Sequence, residues 1–257
     1  MIEPSAVVLA GDWHGDAGWA KRVARALPAL LPDQPRLVIQ LGDFGIWPGR
    51  GGRDYLSDVD YWMKRADAQV WFLHGNHDDH DQLDALWTGP QLTPIRERVS
   101  WLPVDTRWTW HGRQWVAVGG AASVDRAFRL RHGLPWWKGE YLTREEAETV
   151  MASGPAQVLL THDAPASVPL VMGPPCPSWE AGDLARSQAQ RELLQEVMEE
   201  VRPELVVHGH HHQWQYSLAR IQSGAVPALS LDMQQSAGNL VLLDTRTLDW
   251  VPVSTAA

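Results

Sequence analysis

Five short runs rich in Val, Leu and Ile, at residues 6–10, 37–41, 69–73, 157–160 and 205–207, are each followed by a turn carrying Asp, Asn or His. Runs this short and this uniformly apolar suit strands buried on both faces. Between them, residues 17–31, 54–66 and 181–202 carry apolar side chains at helical spacing, the last with many Leu, Glu, Gln and Arg. Alternating strands and helices commit the chain to an α/β fold. Two stretches depart from the alternation. Residues 107–119 have a hairpin turn at His111-Gly112-Arg113, and within 226–253 Asp244-Thr245-Arg246-Thr247 separates two apolar runs. Antiparallel strands therefore join the sheets, and the expected architecture is a two-layer β-sandwich of mixed sheets flanked by helices. No linker or repeat divides the chain, so 1–257 is expected to form a single domain, with the Pro-rich stretch 164–179 as a surface loop.

The polar residues gather where the strands end: Asp12-Trp13-His14, Gly42-Asp43, Gly75-Asn76-His77-Asp78, His162 and Gly209-His210-His211-His212. In layered α/β folds ligand sites lie beyond strand C-termini. Extended alternation would set Asp12 and His14 on one side and His210 and His212 on one side, each pair gripping one centre, with Trp13 and His211 opposite. Asp, Asn and His without Cys form a hard-to-borderline donor set suited to Mn, Fe or Zn. Asp12, His14, Asp43, Asn76, His162, His210 and His212, seven such donors, are too many for one ion. A carboxylate such as Asp43 can bridge two cations roughly 3.5–4 Å apart.

The order Asp-x-His, Gly-Asp, Gly-Asn-His-Asp, His, Gly-His-x-His, running from residue 12 to residue 212, resembles the calcineurin-like metallophosphoesterase superfamily. The resemblance implies that Asp12, His14 and His212 hold one metal, that Asn76, His162 and His210 hold the other, and that Asp43 bridges them. It implies a metal-activated water attacking phosphorus in line. His77 would face the substrate as general acid, a role that suits imidazole's ordinary pKa near 6.5. Beside it, residues 79–87 have helical character, with Asp79 as N-cap and Gln82 as capping-box partner; the free N–H groups of that start either favour phosphate or simply carry the cap. Residues 119–129 resemble a loop of some bacterial and phage metallophosphoesterases and nominate Arg126 and Arg129 for substrate phosphate, against solvated pairing with Asp125.

Protein serine/threonine phosphatases of this superfamily carry Gly-Asp-x-x-Asp-Arg-Gly, whereas here Ile46 and Trp47 replace that Asp and Arg. The pattern is more similar to small bacterial phosphodiesterases, including those acting on cyclic nucleotides. The expected function is a binuclear phosphodiesterase of small nucleotide or model diesters, with manganese preferred and Fe, Zn or Ni as alternatives. The other readings are a phosphomonoesterase, a DNA or RNA nuclease, and a metal-binding interaction scaffold like the retromer subunit with this fold. A scaffold has no need of all seven donors plus His77, and this chain keeps them.

A formal charge of −9 argues against a surface that coats polyanions, so a small phosphoester is the expected partner rather than nucleic acid, with oligomeric state left open. Cys176 stands alone, which excludes an intrachain disulfide and favours a reducing compartment. No apolar run approaches the roughly 18 residues of a membrane span, and the start lacks a basic segment followed by an apolar one, so the expectation is a cytoplasmic protein without a membrane partner. His74, His80, His111, His132, His208 and His211 read as surface or core residues, His208 with the alternative of orienting a neighbouring ligand. The Trp residues, including Trp108, Trp110, Trp115, Trp136 and Trp137, read as core or hairpin packing, with stacking on a base as the alternative.

Overall fold

The computed structural model describes residues 2–171, 173 and 175–255. In chain order the first part contains β1 (Ala6–Ala10), α1 (Ala17–Leu30), β2 (Arg36–Leu41), α2 (Gly49–Arg65), β3 (Ala68–Leu73), α3 (His80–Asp84), β4 (Thr93–Pro94) and β5 (Val99–Trp101). It continues through β6 (Thr106–Trp110), β7 (Arg113–Val118), α4 (Arg126–Arg131), α5 (Arg144–Ala152), β8 (Val158–Thr161) and α6 (Ala181–Val201). The last elements are β9 (Leu205–His208), β10 (Gln215–Ile221), β11 (Gly224–Ser230), β12 (Leu240–Asp244) and β13 (Trp250–Val253). Among the described residues the strands form a 7-stranded sheet of order β13-β12-β1-β2-β3-β5-β4 and a 6-stranded sheet of order β10-β11-β9-β8-β7-β6. Both are mixed: β1 runs parallel to β2 and antiparallel to β12, and β7 runs parallel to β8 and antiparallel to β6. No helix of the described residues is long and apolar enough to cross a membrane.

Alternation explains why the central strands are apolar on both faces. Val7 and Leu9 of β1 point between the sheets, toward Val158 and Leu160 of β8, whereas Val8 and Ala10 face the layer that includes α1 and α2. Leu159 of β8 and Val206 of β9 face the opposite way, against Val150 of α5 and Leu194 and Val197 of α6. The result is a helix–sheet–sheet–helix stack. Between the sheets Trp71, Trp108, Trp110 and Trp115 pack ring on ring, with centroids 5.1 Å apart for Trp110 and Trp115. The β6–β7 hairpin turns on His111 and Gly112, both at positive φ (49° and 77°), as a two-residue primed turn demands.

Several boundaries differ from the sequence reading. Helix α2 starts at Gly49 rather than 54: Gly49-Arg50-Gly51-Gly52 has poor helix propensity, but Gly52 is required in this first turn, where a Cβ would lie 1.9 Å from the Trp47 carbonyl oxygen. Helix α3 covers only His80–Asp84 of the expected 79–87. Asp79 does cap it, accepting from Gln82 N at 3.2 Å, but Asp79 N is already donated to Ile46 O, so the Gln82 side chain turns to the Asp79 carboxylate instead of completing a capping box. Helix α5 is an addition to the sequence reading, although Thr143 and Glu146 form a full capping box at its start. The pairing of β10 with β11 is another, because β10 alternates polar residues on an exposed edge. In the Pro-rich stretch, residues 172 and 174 lie outside the described residues; the rest holds no helix or strand.

Candidate metal centre

The C-terminal ends of β1, β2, β3, β8 and β9 converge, and the polar residues after them meet. Ligand atoms of Asp12, His14 and His212 lie within 4.8 Å of one another, and so do those of Asp43, His162 and His210. Asn76 joins the second group, its Oδ1 lying 3.2 Å from His162 Nε2. Asp43 reaches both: Oδ2 is 3.4 Å from His14 Nε2 and Oδ1 is 3.5 Å from His162 Nε2. One carboxylate therefore turns one oxygen to each group. Asp12, Asp43 and His162 are buried, and His212 lies at the open edge, its Nε2 3.0 Å from Asp12 Oδ2.

The pairing expected from strand parity does not hold: His210 and His212 fall in different groups. Both are at positive φ (65° and 48°), as is His14 (42°), so these segments are tight turns and the alternation of extended chain stops at the strand ends. The turns are packed against the carboxylates. A Cβ at residue 75 would lie 2.2 Å from Asp43 N and Oδ1, and one at residue 209 would lie 2.4 Å from Asp12 Oδ1, so only Gly fits at either position.

Surrounding hydrogen bonds fix which atoms face inward. His162 Nδ1 donates to Leu41 O (2.7 Å) and His14 Nδ1 to Gln234 Oε1 (2.9 Å), leaving each Nε2 directed at the carboxylates. The Asn76 amide is oriented by a relay in which Nδ2 donates to Ser123 Oγ (3.0 Å) and Ser123 Oγ donates to the buried Glu140 (2.6 Å), which turns Oδ1 toward His162. The donor chemistry and the converging lone pairs fit a pair of borderline divalent cations.

Electrostatics point the same way. Burial lowers the His14 pKa, but hydrogen bonding and charge from Asp43, with the charge of Asp12, outweigh it and carry it up to about 9. For His162, burial is likewise outweighed by Asp43 and Asp12, and the shift is upward. Burial would raise the Asp43 carboxyl, yet His77, His162 and His14 hold it well below the carboxylate range. In the metal-free protein a proton on His14 thus offsets charge on the buried carboxylates, and an incoming cation must displace it. The sign follows: apparent affinity for manganese should fall as pH drops below about 9, by about tenfold per unit for each proton displaced, and level off above it. Calorimetric titrations in buffers of different ionisation enthalpy would count the protons; an affinity independent of pH between about 6 and 9 would contradict this account.

His77 stands at the rim. Its backbone N–H donates to Asp43 Oδ1 (2.8 Å), and its Nε2 faces Asn76 Nδ2 (3.3 Å) and Arg129 Nη2 (3.5 Å), both donors, so the ring rests with Nε2 as acceptor. Burial, with the positive charge of Arg129, lowers its pKa against the pull of Asp43. Arg129 is held by Asp125, whose two oxygens both accept from Nε at 2.9 Å. Arg126 points elsewhere, toward Asp183 (3.6 Å) and over the Trp136 ring (4.8 Å). Two cavities meet at His77. One, of about 580 Å³, is lined by Asp43, Asn76, Ser123 and His210–His212; the other, of about 380 Å³, is lined by His14, Trp47, Arg129 and Trp137.

Several contributors lie beyond the sequence reading. Asp78, part of the motif but without a role of its own there, accepts from Phe44, Gly45, Ile46 and Gly75 N–H groups and ties the 44–47 loop to the end of β3. His211, expected at the surface or in the core, lines the larger cavity and is held by Asp163 at 2.9 Å; with His210 these two form a further donor group. His208 is fully buried and bonds Gly209 O at 3.0 Å, beside His210. Trp108, Trp110 and Trp115 are core, as expected, but Trp137 is half-buried and faces the smaller cavity.

Residues 5–214 match the family model described as Calcineurin-like phosphoesterase. Among solved structures, TT1561 of Thermus thermophilus is similar with a TM-score of 0.57 and 12% identity, over 99% of this chain and 100% of that one. The 5'-nucleotidase precursor from Thermus thermophilus is similar with a TM-score of 0.50 and 15% identity, over 96% of this chain and 53% of that one. At such identities the likeness is one of fold. No curated protein matches the sequence.

Proposed function

The chain belongs to the calcineurin-like phosphoesterase family, whose members are metal-dependent phosphoester hydrolases, and from that premise we propose that it is a manganese-preferring phosphodiesterase of small nucleotide diesters, cyclic ones included. The observation that carries the diester preference is the scarcity of free positive charge around the phosphate position. Among the described residues lining the two cavities, the guanidinium groups are those of Arg129 and Arg191. Arg129 is paired with Asp125 through Nε, which offsets its charge and leaves Nη2 beside His77, and Arg191 donates to the carbonyls of Ala164, Pro165, Ala166 and Val168. A dianionic monoester asks for more counter-charge than a singly charged diester, and the loop that carries Arg in protein phosphatases here carries Ile46 and Trp47.

In this reading Asp12, His14 and His212 would hold one cation and Asn76, His162 and His210 the other, with Asp43 between the two groups. When bound, the cations would supply a water of lowered pKa and charge to balance the phosphoryl oxygens. His77 accepts through Nε2 at rest; a phosphate anion against that atom opposes Arg129 and favours the protonated ring, which then passes its proton to the departing oxygen. Arg129 Nη2, next to His77 Nε2, orients a non-bridging oxygen. Arg126, directed to Asp183, would influence the substrate through the 119–129 loop rather than by contact.

The test is the turnover by manganese-loaded protein of bis-p-nitrophenyl phosphate and of 2′,3′- and 3′,5′-cyclic nucleotides, set against p-nitrophenyl phosphate. Diesters should be the better substrates by kcat/KM. Fast monoester turnover with no diester turnover would sink the proposal and favour a phosphomonoesterase.

A further inference from the structure

The smaller of the two cavities is built unlike the larger one. Besides His77 and Arg129 it is lined by Trp47, Pro48, Pro135 and Trp137, and by His14 of the first donor group. Trp47 ends the loop whose Phe44, Gly45 and Ile46 N–H groups bind Asp78, and Ile46 O accepts from Asp79 N at 2.6 Å. Its ring lies on Gly15, where a Cβ would come 2.6 Å from the indole, and Gly15 also sits at φ +67°. Trp137 O accepts from the N–H of Glu140, the residue that anchors the Ser123–Asn76 relay. Two indoles thus line one cavity with the side chains that would handle the phosphoryl group.

We infer that the Trp47–Trp137 cavity takes a planar aromatic group attached to the phosphate, a nucleobase in a natural substrate, and so selects nucleotides over sugar phosphates. The inference rests on the phosphoesterase reading and says which arm of the substrate goes where. Stacking needs only a π-face, and Arg129 lies at the phosphate end of the cavity beside His77. Discrimination among bases should therefore be slight. The larger cavity, with Ser123, Gln188, His211 and Gln213 in its lining, offers hydrogen-bonding partners for the sugar or second ester arm.

The test is calorimetric binding to manganese-loaded protein of a nucleoside 5′-monophosphate, ribose 5-phosphate and inorganic phosphate, which share the phosphate and differ in the base. Wild type should bind the nucleotide about tenfold more tightly than ribose 5-phosphate, the order expected for one stacked base. Trp47→Ala and Trp137→Ala should each bring that ratio close to one while ribose 5-phosphate still binds, and Trp47→Phe and Trp137→Phe should keep most of it. If an Ala variant loses all three ligands, the Phe variant at that position decides. Equal binding of nucleotide and ribose 5-phosphate by wild type would overturn the inference and leave the phosphoesterase reading standing. Failure of all three, inorganic phosphate included, to bind would count against that reading and this inference together.

Discussion

Asp43→Asn should lose at least one of two bound manganese ions per chain and lower kcat/KM for diesters by about a thousandfold or more, since several kcal/mol of metal-derived stabilisation go with it. Asp43 is the residue that turns one oxygen toward His14 and the other toward His162, at 3.4 and 3.5 Å. Asn keeps the shape, but it offers one oxygen, an amide group in place of the other, and no charge. The variant should fold, because Asp43 sits in a turn and its amide can still accept from the His77 N–H. Metal content by elemental analysis, alongside circular dichroism, separates loss of ions from loss of fold. Two ions retained with unimpaired turnover would show that the carboxylate bridges nothing.

His77→Ala should behave differently: both ions kept, KM little changed, and kcat lowered by about 10²–10⁴-fold, the range for a lost general acid. Removing the imidazole leaves the backbone N–H that supports Asp43 in place. A more specific signature concerns the leaving group. p-Nitrophenolate departs without help, so its release should suffer far less than release of a nucleoside alkoxide, which needs the proton. Measuring both leaving groups on wild type and variant distinguishes proton donation from positioning. An equal loss with both would assign His77 to orientation of the phosphate through its contact with Arg129.

Much of this centre is legible in the sequence because strand ends are legible. Runs such as 37–41 and 205–207 are apolar at every position but Gln40, and that uniformity marks where extended chain stops and where Asp43 and His210 begin. What lies past the strand ends is harder to read. His14, His210 and His212 adopt left-handed backbone that no local spacing announces, so the pairing of His210 with His212 fails even though each residue does lie at the centre.

The supporting residues are hidden for another reason. Ser123, Glu140 and Gln234 are ordinary polar residues far in sequence from Asn76 and His14, and only tertiary contact gives them meaning. In the sequence Trp47 stands out for the Arg it replaces, and only the folded chain shows the cavity it lines. Arg126 and Arg129, equal candidates by sequence, are separated by the geometry of α4: one meets His77 and the other Asp183.

The central claim, two cations shared across Asp43, is tested most directly by anomalous diffraction at the manganese edge from crystals of the manganese-loaded protein. The account predicts two peaks on opposite sides of Asp43, one among Asp12, His14 and His212 and the other among Asn76, His162 and His210. A single peak, or one lodged in the neighbouring group of Asp163, His210 and His211 in place of the second, would contradict it.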